Sequence, residues 1–284
     1  MPAKFGPAGN SEEFSKKYKS TLDAPKYLKE MGLDHYEYQC GRGVKVSDNT
    51  AFSLRDKARE NGISLSLHAP YFISLSSLEA EKRDNSINYI LQSCDAVSRM
   101  GGERIVIHSG SCSKISREEA LELAKDTLKR ARKIAVEQGF ENVTFCPETM
   151  GKVNQLGNLY EVLELCKLDE SFIPCIDFGH LNAREFGYIK GKTEYENIIN
   201  QIENAIGSDR TKNFHSHFSK IMFTNPGGEK KHMTFDDNMG FGPDFEPLME
   251  IVAKKNLSPT FVCESAGTQD VDALTMKKYY LSSL

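Results

Sequence analysis

RIVIHSGSCSKISREEALELAKDTLKRARKIAVEQGFENVTFCPE, from Arg104 to Glu148, carries a strand, a helix and a second strand in one continuous stretch. The runs Ile105 to Ile107 and Val143 to Cys146 are short, rich in β-forming residues and bounded by polar ones, which is how buried strands read. Between them Ala120, Leu121, Leu123, Ala124, Leu128, Ala131 and Ala135 return at steps of three and four, the spacing of one helical face. Ser116, three residues before Glu119, predicts a capping box at the start of that helix, and Gly139 predicts its stop. A strand, a crossover helix and a strand imply parallel pairing.

The same unit recurs outward in both directions. Strands are expected at 3–6 (AKFG), 35–39 (HYEYQ), 63–68 (ISLSLH), 104–108 (RIVIH), 143–148 (VTFCPE), 172–177 (FIPCID), 213–218 (NFHSHF) and 260–264 (TFVCE), with helical periodicity between them. Eight such units predict an α/β fold, a (β/α)8 TIM barrel, with residues 1–284 as one domain. No GxGxxG follows any strand, so a dinucleotide-binding sheet lacks its signature. Linkers are short apart from a polar, Gly-rich excursion from Asn225 to Pro243.

Composition narrows the class. With 284 residues, 39% of them apolar, the chain is long enough for one barrel. A net charge of −4 supplies no global attraction to polyanions, so any nucleic-acid contact must come from local basic residues such as Lys152, Lys192, Lys220, Lys230 and Lys231. Seven scattered cysteines without a CxxC pair read as free thiols, and no window has the length and apolarity of a membrane span. A cytoplasmic, soluble, monomeric protein is the expectation.

In a barrel of this kind chemistry lies at the C-terminal ends of the strands. Here those ends are His68, His108, Glu148, Asp177, His215 with His217, and Glu264, while His180 follows Asp177 by three residues and His232 lies in the Gly-rich excursion. Taken singly, a histidine closing a strand is ordinarily a satisfied polar residue, and Asp177 an N-cap. Gathered round one mouth they form the imidazole and carboxylate set that Zn²⁺, Mn²⁺ or Fe²⁺ takes. Several carboxylates in one cavity repel each other unless cations neutralise them, which favours more than one metal.

SLHAPYFISLSS, IVIHSG, PETMGK, CIDFGHL, HSHFSK and CES resemble, in order along the chain, the endonuclease IV family of apurinic/apyrimidinic endonucleases, which belongs to the xylose isomerase-like TIM barrels. The resemblance implies cleavage of double-stranded DNA on the 5′ side of abasic sites, with two to three Zn²⁺ per chain or Mn²⁺ in their place. It implies that His68, His108 and Glu148 hold one metal, and that Glu148, Asp177, His215 and Glu264 hold a second. Glu264 and Glu148 are then the catalytic residues, with Glu264 orienting the attacking water. Tyr71 and Arg42 match the side chains that enter the DNA stack. The third metal of the family uses His180 and an Asp-x-His pair. Here GGEKKHMTFDD (227–237) supplies His232, but Lys230 stands in place of the aspartate, so this site needs Glu229, Asp236 or Asp237 to reach in, or a water to fill the position. The same superfamily contains single-metal sugar isomerases and epimerases, for which Glu148, Asp177, His215 and Glu264 would be the metal set.

Overall fold

The computed structural model describes residues 2–112 and 114–284. Eight parallel strands alternate with helices: β1 (Lys4–Pro7), β2 (His35–Gln39), β3 (Ser64–His68), β4 (Arg104–Ile107), β5 (Thr144–Pro147), β6 (Cys175–Asp177), β7 (His215–Phe218) and β10 (Thr260–Cys263). They form two four-stranded runs, β2-β3-β4-β5 and β1-β10-β7-β6. Bridges from Ala8 to Glu37 and from Glu148 to Cys175 join the runs at both seams and close a TIM barrel. The α-helices are α1 (Glu12–Lys17), α2 (Ala24–Met31), α3 (Asp48–Asn61), α4 (Ala80–Arg99), α5 (Arg117–Glu137), α6 (Leu159–Cys166), α7 (Phe178–Arg184), α8 (Lys192–Ile206), α9 (Ser208–Lys212), α10 (Glu246–Lys254) and α11 (Gln269–Ser282).

Local sequence accounts for these elements. Both hydrogen bonds of the Ser116/Glu119 capping box are present at the start of α5, and the chain leaves that helix through Gly139 at φ 85°. Its buried stripe, Ala120, Leu121, Ala124, Leu128, Ala131 and Ala135, matches the periodic set expected except for Leu123, which is half-buried. The apolar layer between strands and helices is aromatic in part: Phe5 stacks on Phe261 at 5.4 Å and Phe145 on Phe172 at 5.1 Å.

Two regions differ from expectation. Strand β6 begins at Cys175 instead of residue 172, because Pro174 has no N–H to give to a ladder. The excursion after β7 is more ordered than a loop: β8 (Lys220–Thr224) and β9 (Gly228–Met233) form an antiparallel hairpin with a register shift at Met222/Phe223. The hairpin is pinned to the loop after β5, where the Glu229 N–H donates to Gly151 O at 3.0 Å and Lys152 bridges Gly228.

The barrel interior is divided. Val106, Cys146, Ile173 and Cys175 form a small apolar cluster. His35, Glu37, Ser66 and His215, all buried, make up a polar part, where barrels of this kind are ordinarily filled with branched apolar residues.

Candidate metal centre

The strand ends bring their polar residues to one mouth. His68 closes β3, and its ring is held by Nδ1–H donating to the Ala69 carbonyl at 2.7 Å, which turns Nε2 toward Glu148 Oε2 at 3.3 Å. His108, just past β4, places its Nε2 3.0 Å from the same oxygen. The other oxygen of Glu148, Oε1, lies 3.1 Å from His217 Nδ1 and 3.4 Å from His180 Nδ1. The two oxygens of one buried carboxylate are thus shared between two sets of rings. Burial pushes the Glu148 carboxyl up, but His217, His108 and His180 outweigh it and hold it well below the usual carboxylate range.

Asp177 is both of the things its sequence position suggested. Its Oδ1 accepts the His180 N–H at 2.7 Å and caps α7 (Phe178–Arg184). Its Oδ2 is buried without a hydrogen-bond partner, and burial, reinforced by Glu264 and Glu148, pushes the carboxyl up despite the His180 ring. An orphaned acceptor beside two more carboxylates is the surrounding a cation would relieve. Glu264 completes this set, 3.5 Å from His217 Nδ1. Glu148, Asp177, His217 and Glu264 present ligand atoms within 4.8 Å of one another, and so do His68, Glu148 and His217. All are nitrogen or carboxylate oxygen donors, the set suited to zinc or manganese.

His215 is not in this ring, contrary to the expectation that it joins the second group. β6 and β7 pair Asp177 with His217 and Cys175 with His215, so His215 lies one inward-facing level below the mouth. There its Nε2 bonds Glu37 Oε2 at 2.9 Å. Burial lowers its pKa to about 4, against the pull of Glu37. The register between strands is not written in either strand, and HSH offers two histidines of the same parity.

A third group lies beside the first two. His180, Glu229 and His232 bring ligand atoms within 4.8 Å of one another, with Glu229 Oε2 3.5 Å from His180 Nε2 and Glu229 Oε1 3.8 Å from His232 Nε2. His180 Nδ1–H donates to the Thr149 carbonyl at 2.9 Å, which fixes the ring. Lys230 is exposed, and neither Asp236 nor Asp237 belongs to the group.

Tyr71 lies over the centre rather than apart from it. Its ring is 4.9 Å from His68 and 5.5 Å from His108, its hydroxyl donates to Gln39 at 3.1 Å, and it remains 54% exposed. Gly41 permits this, because a Cβ there would collide with the Tyr71 ring. Arg42 is exposed in the same loop. Among the lysines, Lys220 is engaged by the Phe235 carbonyl at 2.7 Å and Lys192 by Glu250 at 2.9 Å, whereas Lys152, Lys230 and Lys231 are exposed around the third group.

Residues 25–278 match the family described as xylose isomerase-like TIM barrel. The chain belongs to that family. Among family members and neighbours, it is 30% identical to an uncharacterized protein of Methanocaldococcus jannaschii over 97% of this chain and 96% of that one. It is 25% identical to a probable endonuclease 4 of Bacillus subtilis over 76% of this chain and 71% of the relative. Two solved structures share the fold: a D-tagatose 3-epimerase-like protein, with a TM-score of 0.72, 18% identity and coverage of 98% and 97%, and endonuclease IV from Thermus thermophilus, with 0.70, 16%, 99% and 100%. The same fold is thus found in an epimerase-like protein and in an endonuclease. Among the described residues no helix is long and apolar enough to cross a membrane.

Proposed function

We propose that this chain is a metal-dependent endonuclease acting on abasic sites in double-stranded DNA, in the manner of the endonuclease IV relatives. The observation that carries the reading is the division of Glu148: Oε2 serves His68 and His108, while Oε1 serves His217 and His180. A carboxylate with donors on both sides is suited to bridging two cations, and a phosphodiester hydrolase uses two. A single-metal isomerase needs only Glu148, Asp177, His217 and Glu264, and would leave His68, His108 and the His180–Glu229–His232 group without work.

When bound, the metals would supply an activated water and a counter-charge for the phosphoryl oxygens. The chain's own residues do the rest. His68, His108 and Glu148 would hold the first cation; Glu148, Asp177, His217 and Glu264 would hold the second; and His180, Glu229 and His232 would hold the third. Glu264, part-exposed at the mouth, orients the attacking water and takes its proton on a carboxylate oxygen. Tyr71 and Arg42, on adjacent rim loops, fill the gap left when the abasic nucleotide leaves the stack. Lys152, Lys230 and Lys231 contact phosphates, a small basic patch on an acidic chain.

Metal analysis of protein purified without chelator tests the reading. Two or three zinc-type ions per chain are expected, one for each donor group; a single ion would favour the sugar epimerase reading, which the four-residue set Glu148, Asp177, His217 and Glu264 also fits.

A further inference from the structure

Glu37 sits in the middle of β2 and is fully buried inside the barrel. A carboxylate there contributes nothing to packing, and burying it is costly unless it is fully paired. It is fully paired. Oε2 accepts from Ser66 Oγ at 2.8 Å and from His215 Nε2 at 2.9 Å, and Oε1 accepts from His217 Nε2 at 2.9 Å. Ser66 is supported from below by His35 Nε2 at 2.8 Å, and His35 Nδ1 by Ser64 at 2.9 Å, so the network is anchored along the barrel axis.

Each oxygen of the Glu37 carboxyl group also faces a second donor, Ser66 Oγ on Oε2 at 2.8 Å and Gln39 Nε2 on Oε1 at 3.2 Å, so both oxygens act as acceptors and the Nε2 of both rings carries hydrogen. For His217 this leaves Nδ1 as the atom facing Glu148 at 3.1 Å and Glu264 at 3.5 Å. His68 is arranged the opposite way, giving Nδ1–H to the Ala69 carbonyl and turning Nε2 to Glu148, and His180 gives Nδ1–H to the Thr149 carbonyl and faces Glu229 with Nε2. Three rings at one centre therefore present two different nitrogens, and a side chain beneath the centre sets the odd one.

We propose that Glu37 is a positioning residue for the candidate metal centre, holding His217 with its hydrogen on Nε2 so that Nδ1 is the atom offered to a cation. The proposal rests on the metal-binding reading above. A ring offering Nδ1 holds the cation closer to its own backbone than one offering Nε2, which suits His217 near the end of β7, whose preceding inward residue, His215, takes the other carboxylate oxygen. Glutamine at position 37 keeps the shape but has one acceptor oxygen where the carboxylate has two, so it must offer an N–H₂ group either to His217 Nε2 or to His215 and Ser66, and it loses the charge that draws the ring hydrogen to Nε2.

Long-range ¹H–¹⁵N spectra of histidine-labelled, zinc-loaded protein read the ring nitrogens directly. His217 is expected to show a protonated Nε2 and a zinc-bound Nδ1, and His68 the reverse. In zinc titrations, Glu37→Gln is expected to weaken the sites that share His217 by roughly 10- to 100-fold, leaving the His180–Glu229–His232 group at its parent affinity. Zinc bound through Nε2 of His217, or parent affinity at every site in Glu37→Gln, would overturn the proposal while leaving the metal-binding reading intact. Parent protein that takes up no zinc would overturn both. If Glu37→Gln does not fold, the parent spectra decide alone.

Discussion

Glu229 Oε2 lies 3.5 Å from His180 Nε2, a contact made by the residue next to the lysine that stands in place of an aspartate. The β8–β9 hairpin turns Glu229 and His232 toward the mouth and leaves Lys230 and Lys231 exposed between them. Glu229→Ala removes the carboxylate from a three-donor group and is expected to bind one zinc fewer per chain than the parent. Lys230→Ala is expected to keep the parent content. Elemental analysis after gel filtration checks both, and unchanged zinc in Glu229→Ala would remove the third group from the account.

That contact depends on a glycine across the gap. A Cβ on Gly151 would lie 2.6 Å from Glu229 Cβ and 2.8 Å from His180 Cδ2. Gly151→Ala should therefore lose the same metal as Glu229→Ala, with a folding cost of about 1–3 kcal/mol from overpacking. Denaturant melts together with zinc content make the comparison.

Stability should respond to pH with opposite sign in the two metal states. Burial lowers the pKa of both His180 and His217, but Asp177, Glu148 and Glu229 around the first, and Cys175, Glu264, Glu37 and Glu148 around the second, raise them well above the usual value. The stability these charged rings give the metal-free chain is fully present below the ordinary histidine pKa of about 6.5, and is lost as pH rises through the raised values. Metal uptake needs the same nitrogens deprotonated, so affinity rises with pH. The gain in Tm on adding zinc is expected to widen from pH of about 6 to about 9. Thermal melts with and without chelator measure it, and a gain that shrinks with pH would contradict the ligand assignment.

Tyr71 gives a separate handle on the DNA. Its exposed ring rests on His68 and His108, with its hydroxyl donating to Gln39. If it stacks in the gap of an abasic duplex, Tyr71→Ala should weaken that binding by about 1–3 kcal/mol and leave intact-duplex binding unchanged. Fluorescence anisotropy with the two duplexes shows whether the losses differ.

Much of the barrel was legible because each strand is a short β-rich run and each helix a periodic one. All eight strands overlap the runs that predicted them, although β6 starts only at Cys175, and the HYEYQ strand has the same bounds, His35–Gln39. The hairpin was not legible, since GGEKKH carries charges and glycines where a strand signal needs β-branched residues. The strand-end rule found most of the mouth, but not the choice between His215 and His217, which depends on how β6 and β7 slide against each other. Glu37 was hidden for a related reason. Its alternation with Tyr36 and Tyr38 reads as the polar face of an ordinary strand, and only closure of the barrel turns that face inward.

The central claim is metal-dependent incision at an abasic site, and a labelled duplex carrying one such site tests it most directly. Zinc-loaded protein is expected to nick the strand on the 5′ side of the lesion, to stop with chelator, and to lose cleavage in a folded Glu264→Gln variant. No incision by protein with a full metal complement would contradict the account.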